Sequence, residues 1–391
     1  MSTNILYLSY DGMTDTLGQS QVLPYIIGLT QKGYHFHLIS FEKSDRFARL
    51  RNQIQKICDD NGIIWHPQIY TKKPPLLSTL YDVWKMKTLA FKLHKENQFS
   101  IVHCRSYLSA LVGLSMKNKF KTKFLFDMRG FWADERVDGN IWDLKNPLYK
   151  VVYNFFKRKE KEFLLNADHI ISLTNNGKAE MLTWEGVEHL NEKITVIPCC
   201  TDLDLFKPYL RDSDEFTLGY LGSLGTWYML KEMLITYKNI LLEVPNAKFH
   251  FLTKDDPTII IKEAKALNLD VSNFIIEECE RFNIPFKTRN WNYSIFFILP
   301  SYSKKSSSPT KQGELMGMGI PIICNKGVGD VDQIVLGSES GIILASENEI
   351  SNFNLKSIHF DKETLHKKAN DIFSLKDGID KFYNIYHKKI I

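Results

Sequence analysis

Short apolar runs alternate with longer segments of mixed polarity along the first half of the chain. The apolar runs cover residues 5–9, 36–41, 101–103, 124–127, 169–173 and 195–197, and they are typical of buried strands. Between them, the apolar positions of residues 21–31, 44–61, 76–97 and 147–165 are spaced as in amphipathic helices. Strands that alternate with helices predict a parallel, doubly wound sheet.

A second alternation follows a polar stretch at residues 201–214, which we interpret as a linker. The predicted strands are 216–221, 248–252, 274–277, 295–299, 320–324 and 341–344, and the predicted helices are 230–242, 258–267 and 362–389. A chain of 391 residues is too long for one ordinary domain. The sequence therefore predicts an α/β protein with two doubly wound domains.

Residues 306–321 carry the strongest local signal of the second half. Ser308 is a suitable N-cap and Pro309 suits the first helical position, after a polar loop that follows a predicted strand. At such a helix start, free backbone N–H groups and the positive end of the helix dipole face whatever lies in front of the helix. Phosphate is the ligand that suits them. Lys311 in the first turn and Glu314 one turn on would suit a phosphate and its attached sugar hydroxyls. The alternative is an ordinary helix start in an α/β domain.

Polar loops that contain glycine follow the first predicted strand of each half. In a doubly wound sheet, loops at the carboxyl ends of the strands border the ligand site. The first loop, residues 10–21, has no Gly-x-Gly-x-x-Gly pattern, so dinucleotide binding is not supported. The candidate residues are Gly18, Gln19 and Ser20 in the first half, as an acceptor loop, and Gly222, Ser223 and Gly225 in the second.

Composition and cysteine spacing exclude several classes of protein. The chain has 44% hydrophobic and 24% charged residues but no uninterrupted apolar run of about 18 residues, so we expect no transmembrane helix. It begins with an apolar strand instead of a charged leader, and we expect a cytoplasmic protein without a signal peptide. None of the six cysteines has Cys-x-x-Cys spacing, which favours reduced thiols over a zinc site.

The net charge of +5 is unevenly distributed. Residues 1–200 hold 27 Lys and Arg against 20 Asp and Glu, whereas residues 201–391 hold 23 against 25. Basic residues concentrate at 85–95, 117–123 and 150–161. One interpretation is that these segments are solvated helix faces. The other is that they form a surface for anionic lipid or for a phosphorylated acceptor. Nucleic acid is not an expected partner, because no known binding module is recognisable.

Several segments together resemble the family-4 glycosyltransferases, retaining enzymes of the GT-B type. The similar segments are 11–21 with 38–43, 167–174, 194–208, 222–225, 314–323 and 373–386. The resemblance implies two Rossmann-like domains that face each other across a cleft. Residues 1–203 would bind the acceptor, residues 204–375 would bind the nucleotide sugar, and the tail 376–391 would pack back on the first domain.

The resemblance also implies roles in the donor domain. Glu314 corresponds to the second glutamate of the family's Glu-x7-Glu motif and would hold the ribose hydroxyls, whereas Ser306 stands at the first glutamate. We interpret this pattern as a bacterial variant with Ser-Pro-Thr-Lys before the donor helix. The family's arginine and lysine clamp on the diphosphate is missing, and Lys311 is the best replacement, ahead of Arg281 and Lys231. The donor-binding candidates are Glu314, Lys311, Thr310, Ser308, Gly222, Ser223 and Gly225.

In the first domain, the family's active-site histidine falls at or next to Arg129. Asp127 and Arg129 follow one predicted strand and His103 ends the preceding one, so these three are the catalytic candidates. The alternatives are a satisfied core histidine at His103 and a structural ion pair between Arg129 and Asp127.

The resemblance implies transfer of a hexose-type sugar, with retention, from a nucleoside diphosphate sugar of unknown base to a hydroxyl acceptor. The acceptor would be a glycan or a lipid-linked glycan of the cell surface, at the inner face of the membrane. We expect no metal and no resident cofactor, because the three Asp-x-Asp triplets fit solvated loops. Two other readings stay open: a non-catalytic subunit that binds nucleotide or a partner, and a nucleotide-sugar epimerase.

Overall fold

The computed structural model describes residues 3–355 and 360–390. The chain divides into two compact units. Unit 1 comprises Met1–Pro198 and Leu375–Ile391, and unit 2 comprises Cys199–Ser374. The polar stretch 201–214, interpreted from sequence as a linker, therefore lies inside unit 2.

Unit 1 contains a parallel sheet of seven strands in the order β3-β2-β1-β4-β5-β6-β7. The strands are β1 (Thr3–Ser9), β2 (Tyr34–Glu42), β3 (Ile64–Ile69), β4 (Ile101–Arg105), β5 (Lys123–Asp127), β6 (His169–Ser172) and β7 (Ile194–Val196). The helices are α1 (Thr16–Gln21), α2 (Leu23–Thr30), α3 (Ser44–Asp60), α4 (Leu77–Asn97), α5 (Ser106–Phe120), α6 (Trp132–Asp138), α7 (Pro147–Asn166) and α8 (Asn175–Met181), with a 3-10 helix at Glu188–Lys193. The order reverses between β1 and β4, so the loops that follow these strands border the crevice of the sheet.

Unit 2 repeats the arrangement with six parallel strands in the order β10-β9-β8-β11-β12-β13. The strands are β8 (Thr217–Leu221), β9 (Lys248–Leu252), β10 (Phe274–Glu277), β11 (Tyr293–Phe296), β12 (Ile322–Asn325) and β13 (Gly341–Leu344). The helices are α9 (Leu230–Glu243), α10 (Pro257–Ala266), α11 (Ile284–Lys287), α12 (Thr310–Gly317), α13 (Val331–Ser338), α14 (Glu347–Ser351) and α15 (Lys362–Phe373), with 3-10 turns at Arg281–Asn283 and Ser303–Ser306. The crevice of this sheet lies between β8 and β11.

Central strands of both sheets are apolar on both faces, as a parallel sheet covered by helices requires. Leu6, Val102 and Phe126 are fully buried in unit 1, and Ile295 and Ile322 are fully buried in unit 2. Because the central strands form continuous apolar runs, they could be predicted from the sequence. The predicted α/β class with two Rossmann-like sheets is confirmed.

The end of the chain belongs to unit 1. After α15, the helix α16 (Leu375–Asn384) and a π-helical segment Ile385–Ile390 follow. Gly28 of α2 faces Ile379 of α16, and a Cβ atom at Gly28 would overlap the Ile379 side chain. Glycine at this position therefore permits close packing of the tail on α2. The last residue of the predicted tail, Ile391, lies outside the described residues.

Three local predictions were wrong or incomplete. The edge strand β3 was not predicted, because its residues are mostly half-buried or exposed and give no continuous apolar run. The predicted helix 21–31 corresponds to α2, but the preceding residues 16–21, predicted as a loop, form the separate helix α1, and Val22 with φ −127° and ψ −64° divides the two. The predicted helix 362–389 is interrupted at Ser374, where ψ of 123° leaves the helical region.

Candidate functional site

The helix α12 in unit 2 starts one residue later than the sequence predicted. Pro309 is the N-cap, with an extended ψ of 122°, and Thr310 is the first helical residue. Ser308 was predicted to cap the helix, and this was wrong: its Oγ atom accepts a hydrogen bond from the backbone N–H of Cys199 at 3.1 Å. Because Ser308 holds the segment at Cys199, its hydroxyl does not cap α12, and Thr310 and Lys311 form the first turn at the positive end of the helix dipole.

Lys311 lies in the first turn of α12, and its side chain is enclosed by aromatic rings. Its Nζ atom is 3.9 Å from the ring centre of Tyr228 and 4.4 Å from that of Tyr220. The same atom is 3.4 Å from the Tyr220 hydroxyl. Aromatic faces attract a cation but do not neutralise it as a carboxylate would. The residue is only 6% exposed, so the charged amine is costly to keep here.

The pKa of Lys311 reflects this enclosure. Burial lowers the pKa of the amine to about 7, although the charges of Glu314 and Asp255 act in the opposite direction. An arriving anion would favour the ammonium form and so gain from it. Lys311 is therefore a group whose ammonium form would be stabilised by a neighbouring anion.

Gly222 permits the approach of Lys311 to the loop after β8. Gly222 has a φ of 106°, which favours glycine, and a Cβ atom there would lie 3.3 Å from Lys311 Nζ. Its backbone N–H donates to the carbonyl of Leu252 at 2.9 Å. The loop that contains the predicted residues Gly222, Ser223 and Gly225 is thus brought against the Lys311 amine, as expected from the crevice position.

Two further contacts hold this loop. The Tyr220 hydroxyl donates to the carbonyl of Ser223 at 2.6 Å, and the N–H of Leu224 donates to the carboxylate of Asp255. Ser223 itself is exposed, and Gly225 adopts a φ of 29°. These contacts fix the backbone of the loop and leave the Ser223 side chain at the surface.

Glu314 lies one turn after Lys311 and pairs with Arg281. Arg281 Nη1 donates to Glu314 Oε1 at 2.5 Å, and the guanidinium lies 4.6 Å from the ring centre of Phe206. Burial raises the pKa of the Glu314 carboxyl, against the opposing effects of Arg281 and Lys311. Arg281 was a weaker candidate for the diphosphate, and the structure places it on Glu314, where it orients the carboxylate.

An aromatic side chain near the sugar, Trp227 or Tyr228, was considered from the sequence, but the aromatic enclosure of Lys311 was not predicted. Tyr220, Tyr228 and Trp227 come from β8 and the loop after it, and Lys304 Nζ lies 3.7 Å from the Trp227 ring centre. Ser306, at the position of the family's first glutamate, is buried in the turn Ser303–Ser306. In the sequence, a tyrosine of an apolar strand looks the same whether its ring packs in the core or lies against a lysine. The sequence therefore gave no signal that distinguishes these two environments.

A second charged cluster lies at the carboxyl ends of β4 and β5 in unit 1. Asp127 Oδ2 is 3.6 Å from His103 Nε2 and 3.8 Å from Arg105 Nη1, and Asp127 Oδ1 is 3.7 Å from Arg129 Nη1. Arg105 also pairs with Asp11 of the loop after β1, at 3.2 Å. The predicted catalytic residues His103, Asp127 and Arg129 are therefore brought together, and Arg105, which the sequence did not single out as a candidate, joins them.

Burial and charge act against each other in this cluster. Burial acts to raise the pKa of the Asp127 carboxyl, but Arg129, His103 and Arg105 together hold it below its ordinary value. Burial lowers the pKa of His103, so the neutral imidazole is favoured. Arg129 has a φ of 57°, in the left-handed region, which is costly for arginine and indicates a position enforced by its surroundings.

His103 is also held from its other side. Its Nδ1 atom lies 2.6 Å from the hydroxyl of Tyr386 in the C-terminal segment. Within residues 3–355 and 360–390, His103 Nε2, Arg105 Nη1 and Asp127 Oδ1 are buried and make no hydrogen bond. The cluster therefore combines the structural role considered for His103 with buried polar atoms whose hydrogen-bonding capacity is unused among the described residues.

The loop after β1 is held by an acid that the sequence did not single out. Glu42 is fully buried and accepts hydrogen bonds from the N–H of Met13, at 2.8 Å, and from the N–H and hydroxyl of Thr14, at 3.0 and 2.6 Å. Of the predicted loop residues, Gly18 is buried against the carbonyl of Gly12. These contacts shape the loop from inside.

The other two predicted loop residues use their side chains locally. Gln19 Nε2 donates to the carbonyl of Thr14 at 3.3 Å, and the Ser20 hydroxyl donates to the carbonyl of Thr16 at 2.8 Å. Ser20 is buried, so its side chain supports α1. An acceptor role for Gly18, Gln19 and Ser20 stays a prediction.

Among the described residues there is neither a group of metal ligands nor a helix suited to cross a membrane. In residues 3–355 and 360–390, no three His, Cys, Asp or Glu side chains are grouped as metal ligands. No helix in the same ranges has the length and apolar character needed to cross a bilayer.

Comparisons with known proteins identify the fold. Residues 22–205, just under half of the chain, match the family described as Glycosyltransferase Family 4. The structure is similar to sucrose-phosphate synthase from Thermosynechococcus elongatus, with 15% identity, a TM-score of 0.71 and coverage of 99% and 98% of the two chains. A comparison with curated protein sequences finds no match.

Two further solved structures have the same fold. Anabaena HepE in complex with UDP and glucose has 12% identity and a TM-score of 0.68, over 98% of this chain and 99% of that chain. The lipopolysaccharide outer core galactosyltransferase WaaB has 12% identity and a TM-score of 0.65, over 99% and 100%. The two Rossmann-like units therefore have the GT-B fold, and the family match supports the resemblance seen in the sequence.

Proposed function

We propose that this protein is a retaining glycosyltransferase that moves a hexose-type sugar from a nucleoside diphosphate sugar to a hydroxyl acceptor. One observation carries the proposal: Lys311, buried among aromatic rings, lies in the first turn of α12, one turn before the buried carboxylate of Glu314. An amine and a helix N-terminus suit a diphosphate, and a carboxylate suits the hydroxyls of a ribose. The family match and the UDP complex of HepE support the same assignment.

The main contribution of unit 2 to catalysis is electrostatic. As the bond to the sugar breaks, negative charge grows on the leaving diphosphate, and the Lys311 ammonium and the N–H groups at the start of α12 stabilise it. Thr310, at the first helical position, supplies one of these N–H groups, and the loop with Gly222, Ser223 and Gly225 lines the same crevice. Arg281 keeps the Glu314 carboxylate oriented for the ribose.

In unit 1, the cluster of His103, Asp127 and Arg129 is proposed to contact the acceptor hydroxyl and the reacting sugar. Polar atoms of His103 and Asp127 are buried without hydrogen bonds among the described residues, so they can receive a hydroxyl without breaking an existing bond. The leaving phosphate would accept the hydroxyl proton on the same face of the sugar, which gives retention. No metal or resident cofactor takes part in the proposed reaction.

The proposed acceptor is a glycan or a lipid-linked glycan in cell-surface assembly, and the proposed location is cytoplasmic at the inner face of the membrane. The fold similarity to WaaB, a lipopolysaccharide galactosyltransferase, and the excess of basic residues in the first 200 positions support this choice.

The second candidate is a non-catalytic subunit that binds nucleotide or a partner protein. Ser306 stands where the family has a glutamate, and Ser223 and Tyr228 stand where it has cationic residues. An epimerase on the same fold is a weaker candidate, because a fold alone does not fix the reaction. An epimerase would convert the donor sugar without any acceptor.

The Glu314→Gln variant tests the proposal. Glutamine keeps an oxygen for Arg281 but lacks the charge for the ribose, so we expect transfer to fall on the order of a hundredfold in a variant that still unfolds cooperatively. The control is Glu347→Gln, an exposed acid in the same unit. Thermal shifts with UDP, GDP, ADP and CDP first identify the nucleotide, and transfer is then measured with the matching sugar donors.

Each outcome of this experiment discriminates between the candidates. An unimpaired Glu314→Gln enzyme would refute the donor assignment. Stabilisation by a nucleotide without turnover on glycan or lipid-linked acceptors would favour the non-catalytic subunit. Conversion of the donor sugar in the absence of acceptor would favour the epimerase.

A further inference from the structure

The imidazole of His103 in β4 is enclosed by rings, two of which come from the C-terminal segment. The ring centre of Phe382 in α16 lies 5.4 Å from that of the imidazole, and Tyr7 of β1 contributes another ring at 4.2 Å. The Nδ1 atom of His103 lies 2.6 Å from the hydroxyl of Tyr386, which is fully buried. These contacts hold the imidazole in one orientation.

The C-terminal segment is itself fixed to unit 1. Ile379 packs on Gly28 of α2, and Asp380 pairs with Lys32 at 2.6 Å. The ring of Tyr386 lies edge-on against that of Tyr34 in β2, with centres 5.3 Å apart. The position of the Tyr386 hydroxyl is therefore set by packing on α2 and β2, in addition to its contact with the imidazole.

The Tyr386 hydroxyl is the donor in its contact with His103. Burial keeps the pKa of this phenol well above its ordinary value, so the hydroxyl retains its hydrogen. Within residues 3–355 and 360–390, His103 Nδ1 is its one hydrogen-bond partner. If Nδ1 donated instead, the buried hydroxyl hydrogen would have no acceptor, which is unfavourable. Nδ1 therefore carries a lone pair.

A lone pair on Nδ1 places the imidazole proton on Nε2. Burial lowers the pKa of His103, which favours the neutral ring with a single N–H. Nε2 lies 3.6 Å from Asp127 Oδ2. Although burial acts to raise it, the neighbouring arginines and His103 hold the pKa of the Asp127 carboxyl below its ordinary value, so this group is ionised. The opposite tautomer would turn a lone pair toward the carboxylate. Tyr386 and Asp127 thus favour the same tautomer.

We propose that Tyr386 is a positioning residue, which fixes His103 as the Nε2–H tautomer so that the imidazole serves as a hydrogen-bond donor and not as a base. The inference rests on the proposed transferase function. A donor at Nε2 suits a substrate hydroxyl, whose oxygen accepts the bond. It also agrees with the proposed reaction, in which the leaving phosphate and no side chain takes the hydroxyl proton. The alternative is a tyrosine that only fills the core.

The position of the proton is measured in the free protein by long-range ¹H–¹⁵N NMR with labelled histidine. The His103→Gln variant identifies the signals of His103 by their absence. We expect the wild type to carry the proton on Nε2 at about pH 7. A proton on Nδ1 would overturn the proposal.

The direction of the hydrogen bond is tested by a pKa change in Tyr386→Phe, which keeps the ring. In the wild type, a proton on Nδ1 would meet the hydroxyl hydrogen, so loss of the hydroxyl should raise the pKa of His103. If Tyr386 were the acceptor, its loss would lower this pKa. A lowered or unchanged pKa would therefore contradict the proposal. The other groups that face His103 are the same in both proteins, namely Asp127, Arg105, Arg129 and Tyr7.

Tyr383→Phe is the matched control. It removes the same hydroxyl from a tyrosine of the same segment, whose ring lies on Tyr34 and His387. We expect the pKa of His103 and the rate of transfer to stay unchanged in this variant. Both tyrosine variants should still unfold cooperatively, because each keeps its aromatic ring.

Two substitutions of His103 distinguish a donor from a base in the transfer assay. The amide nitrogen of glutamine reaches the place of Nε2 and can donate there, whereas that of asparagine reaches the place of Nδ1, and neither amide is a base. We expect His103→Gln to keep transfer within about tenfold of the wild type and His103→Asn to lose about a hundredfold. Equal losses in the two variants would refute the donor role.

The two kinds of measurement separate this inference from the proposed function, because the NMR measurements need neither a sugar donor nor an acceptor. Transfer by a wild type with its proton on Nδ1 would overturn the inference alone. The Nε2–H form without transfer to any acceptor would refute the proposed function and support the role of Tyr386 on His103.

Discussion

Both units bury charged side chains at the carboxyl ends of their parallel strands, but they satisfy the charge in opposite ways. In unit 1, the carboxylate of Asp127 lies within 4 Å of His103, Arg105 and Arg129. In unit 2, the amine of Lys311 is enclosed by Tyr220 and Tyr228, while the nearby Glu314 is hydrogen-bonded to Arg281.

The difference separates a cluster that is stable by itself from one that gains from a ligand. Charges that are paired inside the protein need no further partner, and removing one of them leaves the others unpaired. A buried amine among rings keeps part of its desolvation cost until an anion arrives. We therefore expect removal of the Lys311 charge to affect mainly ligand binding, and removal of the Asp127 charge to affect stability in addition to the role proposed for it at the acceptor.

The largest expected effect is the loss of stability in Asp127→Asn. Without the negative charge, three buried cationic or polar groups lose their shared partner, and we expect unfolding to require about 3–5 kcal/mol less free energy. The measurement is urea unfolding followed by tryptophan fluorescence. Asp212→Asn is the control, because Asp212 is an exposed acid paired with Arg289, and its change should be barely measurable. A shift for Asp127→Asn as small as that of the control would show that the cations do not depend on this carboxylate.

A smaller effect, on binding instead of stability, is expected for Lys311→Met. Methionine fills the space between the rings but cannot donate to a phosphate, so affinity for the proposed nucleoside diphosphate, with UDP as the test ligand, should fall about thirtyfold, as for loss of a charge-assisted hydrogen bond. Isothermal titration with UDP measures the affinity, and thermal unfolding should show equal or higher stability because a buried charge is removed. Lys262→Met, an exposed lysine on α10, is the control. If Lys311→Met lost stability and kept its UDP affinity, the roles assigned to the two clusters would be reversed.

The sequence predicted what depends on periodicity and close spacing. The two sheets followed from apolar runs, and the neighbourhood of Lys311 and Glu314 followed from their separation by one helical turn. The partner of Glu314 could not be predicted in this way. Arg281 lies 33 residues away in the sequence, and only the tertiary structure brings it close. The same holds for Tyr386, which reaches His103 across 283 residues.

The start of α12 shows a second limit of prediction from local sequence. Ser308 has the residue type and position of an N-cap, and local sequence gives no hint that the N–H of Cys199 occupies its hydroxyl. The edge strand β3 was not predicted, because its half-exposed residues do not form the continuous apolar run that is typical of a central strand. Propensity and spacing therefore describe local structure, whereas contacts between distant segments decide which polar atoms remain available for a ligand.

The smallest expected effect is the pH dependence of stability and of ligand binding that Lys311 causes. It is also the sharpest test of the comparison between the two clusters. Its pKa in the folded protein is about 7, against an ordinary 10.5. Between these values the unfolded chain binds more protons than the folded one, so this group makes the free protein more stable as pH rises. The proposed binding of a nucleoside diphosphate, with UDP as the test ligand, relies on the ammonium form and is expected to weaken over the same range, by about fivefold from pH 7 to pH 8. Titrations above pH 7 avoid the phosphate group of UDP, which titrates near pH 6. Lys311→Met should lose both trends, whereas wild-type UDP affinity that stays constant from pH 7 to pH 9 would mean that the lysine is charged before the ligand arrives.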